Sequence, residues 1–129
     1  MSLKQNEVFD AVGGQAFFEE LVNRFYDKVE QDEVLANIFP PKIEEGRKLQ
    51  TFFQIQLFGG PKLYYNEKGP PKLKPFHDSL AHPINQPERD RWVCLMLETL
   101  DEMGVAKESP ARQAMEKTFN RMATMFLTE

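Results

Sequence analysis

The sequence predicts an all-α fold of four main helices in two antiparallel pairs, with a short helical element ahead of them. Three observations carry that expectation. Apolar residues recur at three- and four-residue steps in four separate stretches, no stretch alternates with the two-residue period of a strand, and glycine and proline punctuate the gaps. The chain of 129 residues is long enough to bury a substantial core, and it reads as one domain over residues 1–129. No internal repeat, low-complexity run or linker divides it.

The first main helix is expected over residues 15–38, where Phe18, Leu21, Val22, Phe25, Tyr26 and Val29 repeat on one face. Gly13 and Gly14 end a short preceding element and permit a sharp corner, and Phe39-Pro40-Pro41 closes the helix because proline cannot continue it. The second is expected over residues 43–58, with Gly46, Leu49, Gln50, Phe53 and Leu57 on its inward face and Gly59-Gly60-Pro61 as its stop. Residues 61–87 hold six of the nine prolines, which leaves loop and at most a short helical turn around His77. A third helix starts at Pro87, a favourable first position, and ends at Gly104, carrying Trp92, Leu95, Met96, Leu100 and Met103. The fourth opens on Ser109 as N-cap with Pro110 just inside, and its stripe is Ala111, Met115, Phe119, Met122 and Phe126. A four-helix bundle and a two-over-two sandwich both satisfy this pattern.

Composition excludes several classes. A net charge of −4 without a basic block argues against a nucleic-acid partner. Cys94 is the sole cysteine, so neither an internal disulfide nor a cysteine-based metal cluster is expected; it reads as a buried, inert thiol, and a single thiol suits a reducing cytoplasm. The N-terminus lacks the apolar run of a signal peptide, and no apolar stretch reaches membrane-spanning length. A cytoplasmic location without a membrane span is expected. Eleven phenylalanines and six methionines describe either a plain core of bulky, deformable groups or one wrapped around something flat and apolar.

Chemistry concentrates in few places. His77 sits in the proline-broken segment Gly69-Pro70-Pro71-Lys72-Leu73-Lys74-Pro75-Phe76-His77, and imidazole is well suited to holding iron axially. A lone loop histidine also has the plain reading of a solvated side chain. Tyr26 and Trp92 have the plain reading of core aromatics with one satisfied polar atom. Gln50, one turn after Gly46 and one before Phe53, puts an amide on an apolar face, where it must find partners. Paired carboxylates such as Glu19-Glu20 and Glu44-Glu45 read as solvated faces.

Val12-Gly13-Gly14, Arg24-Phe25-Tyr26, Phe58-Gly59-Gly60-Pro61, the His77 lead-in and Glu88-Arg89-Asp90-Arg91-Trp92 occur in this order. Over about residues 9–104 the chain thereby resembles the truncated haemoglobins, particularly their group II branch. The resemblance implies a globin-like two-over-two helical sandwich with a proline-rich loop before a short proximal helix. It implies haem b as cofactor, His77 as axial iron ligand, and Tyr26, Gln50 and Trp92 as donors on the distal side. Phe39, Gly46, Phe53 and Phe76 would border the haem, and Lys72 and Lys74 would face its propionates. Glycine at position 46 leaves the family's gate position without a side chain, and close helix packing is its plain alternative. Phenylalanine at 39, where group II often has tyrosine, removes one hydroxyl from the distal network. The fifteen residues from His77 to Trp92 slightly exceed the family's interval, and His82, in His82-Pro83-Ile84, is the alternative axial ligand. The implied function is reversible binding of dioxygen or another diatomic gas by a monomer or homodimer. The alternatives are a haem redox enzyme served by a reductase (a nitric oxide dioxygenase or weak peroxidase) and a haem-free helical interaction module.

Overall fold

A computed structural model describes residues 2–36, 43–69 and 84–125. A 3₁₀ turn at Gln5–Glu7 leads into α1 (Val8–Ala11), followed by α2 (Gln15–Glu30), α3 (Ile43–Leu57), α4 (Leu63–Lys68), α5 (Gln86–Glu102) and α6 (Pro110–Met125). No strand occurs among the described residues. Helix α2 packs against α3, α5 packs against α6, and α2 also meets α5, which joins the two pairs into the expected two-over-two sandwich. The α2–α3 pair is antiparallel. Arg47, near the start of α3, reaches Asn23, Asp27 and Glu30 of α2, whereas Phe58, just past the end of α3, stacks on Phe18.

The phenylalanine-rich composition resolves into a chain of ring contacts through the core. Phe9 stacks on Phe18 and Phe18 on Phe58; Phe58 meets Phe119 edge-on, Phe119 meets Trp92, and Trp92 meets Phe25, with centroid separations of 5.5–6.1 Å. These offset and T-shaped pairs set positive ring edges against negative faces, which adds roughly 0.5–1.5 kcal/mol per pair to the burial of area. The chain runs through α1, α2, the end of α3, α5 and α6, so one aromatic path ties four helices and the α3 corner together.

The local signals for the helix ends mostly hold. Helix α5 starts at Gln86, one residue ahead of the expected Pro87, and Asn85, which the sequence reading did not single out, is its N-cap, with its backbone amide donating to Glu88 Oε1 at 2.8 Å. Ser109 Oγ accepts from the Arg112 amide at 3.1 Å at the start of α6. Gly59 ends α3 at φ +100°, and a Cβ there would lie 1.9 Å from the Asn6 carbonyl oxygen. Only glycine allows that crossing, in which the Phe9 amide donates to the Phe58 carbonyl at 2.9 Å and anchors α1 over the corner.

Four expectations are corrected. The first main helix ends at Glu30, not near residue 38, because Asp32 captures the chain: its Oδ1 accepts from the Val34 and Leu35 amides at 3.0 Å each, an alternative to continued helix. The proline-rich segment contains α4, whose Tyr65 amide donates to Gln56 Oε1. Six residues ahead of the next proline suffice for that short helix. On α3 the face holding Gly46, Leu49, Gln50, Phe53 and Leu57 is only half-buried, and the deepest side chains are Thr51, Gln54, Ile55 and Phe58. The helix has two inner faces, and the one turned toward α2 is buried more completely. Cys94 is exposed rather than buried, because it lies on the side of α5 opposite the core residues Val93, Leu95 and Met96.

One buried charge was not foreseen. Arg112 of α6 is 1% exposed, with Nη1 donating to Asp101 Oδ1 and the Val105 carbonyl, both at 2.8 Å, and Nε to Glu116 Oε1 at 3.1 Å. It fastens the α5–α6 corner to the start of α6.

Candidate functional site

Tyr26 lies on α2, 6% exposed, next to Phe25, whose ring it meets edge-on at 5.5 Å. Phe25 also meets Trp92 of α5 at 5.5 Å. One shared neighbour therefore brings two of the three expected distal side chains to the same region. Trp92 itself is half-buried between Phe25 and Phe119. Gln50 is half-buried on α3, one turn beyond Gly46. Phe53 is half-buried as well, its ring edge-on to Tyr64 of α4 at 5.8 Å.

Gly46 faces Tyr26 directly. A Cβ at position 46 would stand 3.8 Å from the Tyr26 hydroxyl oxygen, an ordinary contact distance. Close helix packing thus does not demand glycine here. Glycine sets bare backbone beside the phenol, and a side chain longer than alanine's would crowd the hydroxyl.

Burial pushes the Tyr26 phenol up to about 12, and the Arg47 charge opposes that only in part. The Arg47 guanidinium stands 5.6 Å from the Tyr26 ring centroid, and Asp27 and Glu30 neutralise it at 2.8 and 3.0 Å. Arg47 was missed in the sequence, where a basic residue next to Gly46 reads as solvent-facing. At neutral pH the phenol keeps its proton and serves as a hydrogen-bond donor.

The raised value has a thermodynamic consequence. Above its unfolded value of 10.0 the unfolded chain releases the Tyr26 proton while the folded chain retains it, so stability falls as pH rises from there toward about 12. Urea unfolding of the wild type should lose about 2 kcal/mol more than that of Tyr26→Phe between about pH 9 and about pH 11.5. Parallel pH dependences in the two proteins would mean that Tyr26 is not held neutral.

A second residue missed in the sequence is Gln54, one turn beyond Gln50 and 1% exposed. Neither its Nε2 nor its Oε1 has a hydrogen-bond partner among the described residues. The other buried polar side chains of the core are bonded: Thr51 Oγ1 donates to the Arg47 carbonyl, Thr99 Oγ1 to the Leu95 carbonyl, and Asp32 accepts from Arg91. The Gln50-x-x-x-Gln54 spacing was the available signal, because residues four apart share a helix side.

Asp32 and Arg91 brace the region from outside. Burial pushes the Asp32 carboxyl up, but the hydrogen bond from Arg91, the Leu35 and Val34 amides and the Arg91 charge together hold it below the usual carboxylate range. This pair ties the end of α2 to α5 at the residue before Trp92. His77, His82, Phe39, Lys72, Lys74 and Phe76 lie outside the described residues. Among the described residues, Tyr26 and Trp92 share Phe25 as a neighbour, Gly46 of α3 stands beside the Tyr26 hydroxyl, and Gln50 lies one turn further along α3.

The bacterial-like globin family matches residues 7–127. Group 2 truncated hemoglobin YjbI of Bacillus subtilis (strain 168) is 34% identical over 103 residues, covering 80% of this chain and 76% of that protein. Among solved structures, hemoglobin from the thermophilic phototrophic bacterium Chloroflexus aurantiacus is similar with a TM-score of 0.87 and 37% identity, over 95% of this chain and 98% of that one. The truncated oxygen-avid haemoglobin from Bacillus subtilis is similar with a TM-score of 0.86 and 29% identity, over 95% of this chain and all of that one, a coverage of 100%.

Proposed function

We propose, for a chain that belongs to the bacterial-like globins and to their group II truncated haemoglobin branch, reversible binding of dioxygen at haem b with His77 as the axial ligand. Haem-based binding of diatomic ligands follows from the family itself; the residue roles, the haem type and the choice of dioxygen are the proposal. The Tyr26 phenol carries the proposal: buried, protonated and set beside Gly46 of α3. A related protein of Bacillus subtilis is described as oxygen-avid, which supports the choice of ligand.

Haem supplies an iron at which a diatomic ligand is held. The chain supplies the surroundings. His77 would hold the iron, Phe39, Phe53 and Phe76 would provide apolar walls, and Lys72 and Lys74 would pair with the cofactor's carboxylates. Tyr26, Gln50 and Trp92 would offer O–H and N–H donors to a polar diatomic ligand. Gly46 eases ligand access beside Tyr26. Among the described residues no helix is long and apolar enough to cross a membrane. We assign the protein to the cytoplasm, as one domain over residues 1–129.

The test is a visible spectrum of the purified protein and of two variants. Wild type should show a Soret band that shifts with carbon monoxide. His77→Ala should lose most haem or need added imidazole to keep it, while His82→Ala should retain a near-normal ferrous–carbonyl spectrum. The reverse pattern would move the axial role to His82, and a wild type without a Soret band would sink the reading.

A further inference from the structure

We propose that the Gln54 carboxamide anchors an internal water site at the seam between α2 and the distal pocket, where one water molecule joins Gln54 to Gln50. The link to ligand binding rests on the pocket reading above; the water site itself does not.

Position comes first. Each residue of α3 turns the helix by about 100° and advances it by about 1.5 Å. Gly46 lies beside the Tyr26 hydroxyl, and Arg47, Thr51 and Phe58 point toward α2, where Arg47 reaches Asn23, Asp27 and Glu30 and Phe58 stacks on Phe18. Gln50 lies about 40° from the Gly46 direction and Gln54 about 80°, some 20° short of the direction of Arg47. Gln54 therefore occupies the boundary between the pocket side and the α2 side. Along the axis it lies between the Tyr26–Gly46 and Phe18–Phe58 contacts.

Chemistry comes second. A primary amide offers two donors and an acceptor, and the completely buried side chains of α2, Phe18, Leu21, Val22 and Phe25, have no polar atom to offer it. Backbone groups in the middle of α2 and α3 bond within their own helices. The polar side chains within helical reach earlier on α3 are Thr51 and Gln50; Thr51 Oγ1 already donates to the Arg47 carbonyl at 2.8 Å, which leaves Gln50, one turn away on the pocket side. A buried amide with no partner at all would lower the folding equilibrium constant by roughly tenfold or more. The occupant that satisfies a donor and an acceptor together, and is small enough for such a seam, is a neutral molecule that both donates and accepts. Water is that molecule, and buried waters typically serve polar groups that lack protein partners. Held by Gln54, the water orients the Gln50 amide at the edge of the pocket, which makes Gln54 a positioning residue.

Gln54→Met keeps the side chain's length and removes its hydrogen-bonding atoms, and Gln50→Leu removes the second partner. High-resolution crystal structures of the haem-loaded wild type and Gln54→Met, oxygen-17 relaxation dispersion in solution and urea unfolding form the test. Expected are an ordered water within hydrogen-bond distance of both carboxamides in the wild type, its loss in Gln54→Met, and a residence time shortened severalfold in Gln50→Leu. The folding equilibrium of Gln54→Met should be unchanged or lowered. A rise of roughly tenfold or more would mark an orphaned amide rather than a hydrated one and overturn the proposal. So would a wild-type structure in which Gln54 bonds directly to a protein group without water. A missing Soret band in the same wild-type preparation would strike the haem reading and leave these outcomes to judge the water site.

Discussion

Tyr26→Phe should accelerate dioxygen release by about ten- to a hundredfold, because a hydrogen bond involving a charged partner contributes about 1.5–3 kcal/mol. The phenol is 6% exposed and held protonated by burial, so it donates without first giving up strong hydration. Carbon monoxide carries much less charge, so its release should change far less. Trp92→Phe should act in the same direction. It also costs part of the edge contacts with Phe25 and Phe119, so its stability must be measured beside its kinetics. The double variant should fall short of the product of the single effects, since both donors serve one small ligand and Gln50 can reorient toward it. Stopped-flow release rates decide the matter. If neither single change alters dioxygen release, the two aromatics serve only as core packing, a role their contacts with Phe25 already give them.

Arg112→Ala should lower the stability of the fold by about 2–4 kcal/mol. The side chain is 1% exposed, so its removal leaves a large void, and the Val105 carbonyl loses its donor. The carboxylate partners soften the loss. Asp101 is 51% exposed and Glu116 is 35% exposed, so both recover hydration when the arginine is gone. Arg112→Met, which refills most of the volume, should therefore cost less than Arg112→Ala. Equal losses in urea unfolding would show that the charge network, not packing, carries the effect. Neither variant should alter the ratio of dioxygen to carbon monoxide release, since Arg112 bonds to the α5–α6 corner rather than to Tyr26, Gln50 or Trp92.

Much of the fold is written in short-range signals. The stripe Phe18, Leu21, Val22, Phe25, Tyr26 and Val29 is apolar at the helical period, and all six side chains are buried on α2. Caps at Asn85 and Ser109 and the stop at Gly59 act within one helical turn, so a few neighbouring residues suffice to place them. Helix α4 escaped notice because its six residues offer less than two turns of periodicity. Of the candidate site, the sequence singled out Tyr26, Gln50, Trp92 and Gly46, and the structure sets Gly46 beside the Tyr26 hydroxyl and Phe25 between Tyr26 and Trp92. His77 was singled out by its imidazole chemistry and by family likeness, and it lies outside the described residues.

What the sequence by itself determined is the four long helices, most of where they stop and the apolar stripe that α2 buries, because each depends on residues within a turn or two. Tertiary structure alone decided the rest. Asp32, whose Oδ1 turns the chain locally at the end of α2, is also held on its other oxygen by Arg91, 59 positions away, which no local pattern shows. Arg112 is buried because Asp101, Val105 and Glu116 converge on it, and no periodicity announces a core arginine. Helix α3 has two candidate inner faces, and only its docking on α2 makes Thr51, Gln54, Ile55 and Phe58 the deeper one. The same docking buries the Gln54 amide and leaves Gly46 beside the Tyr26 hydroxyl. A helix's pattern shows which residues share a side; what that side meets is set by partners remote in the chain, whose approach local sequence does not encode.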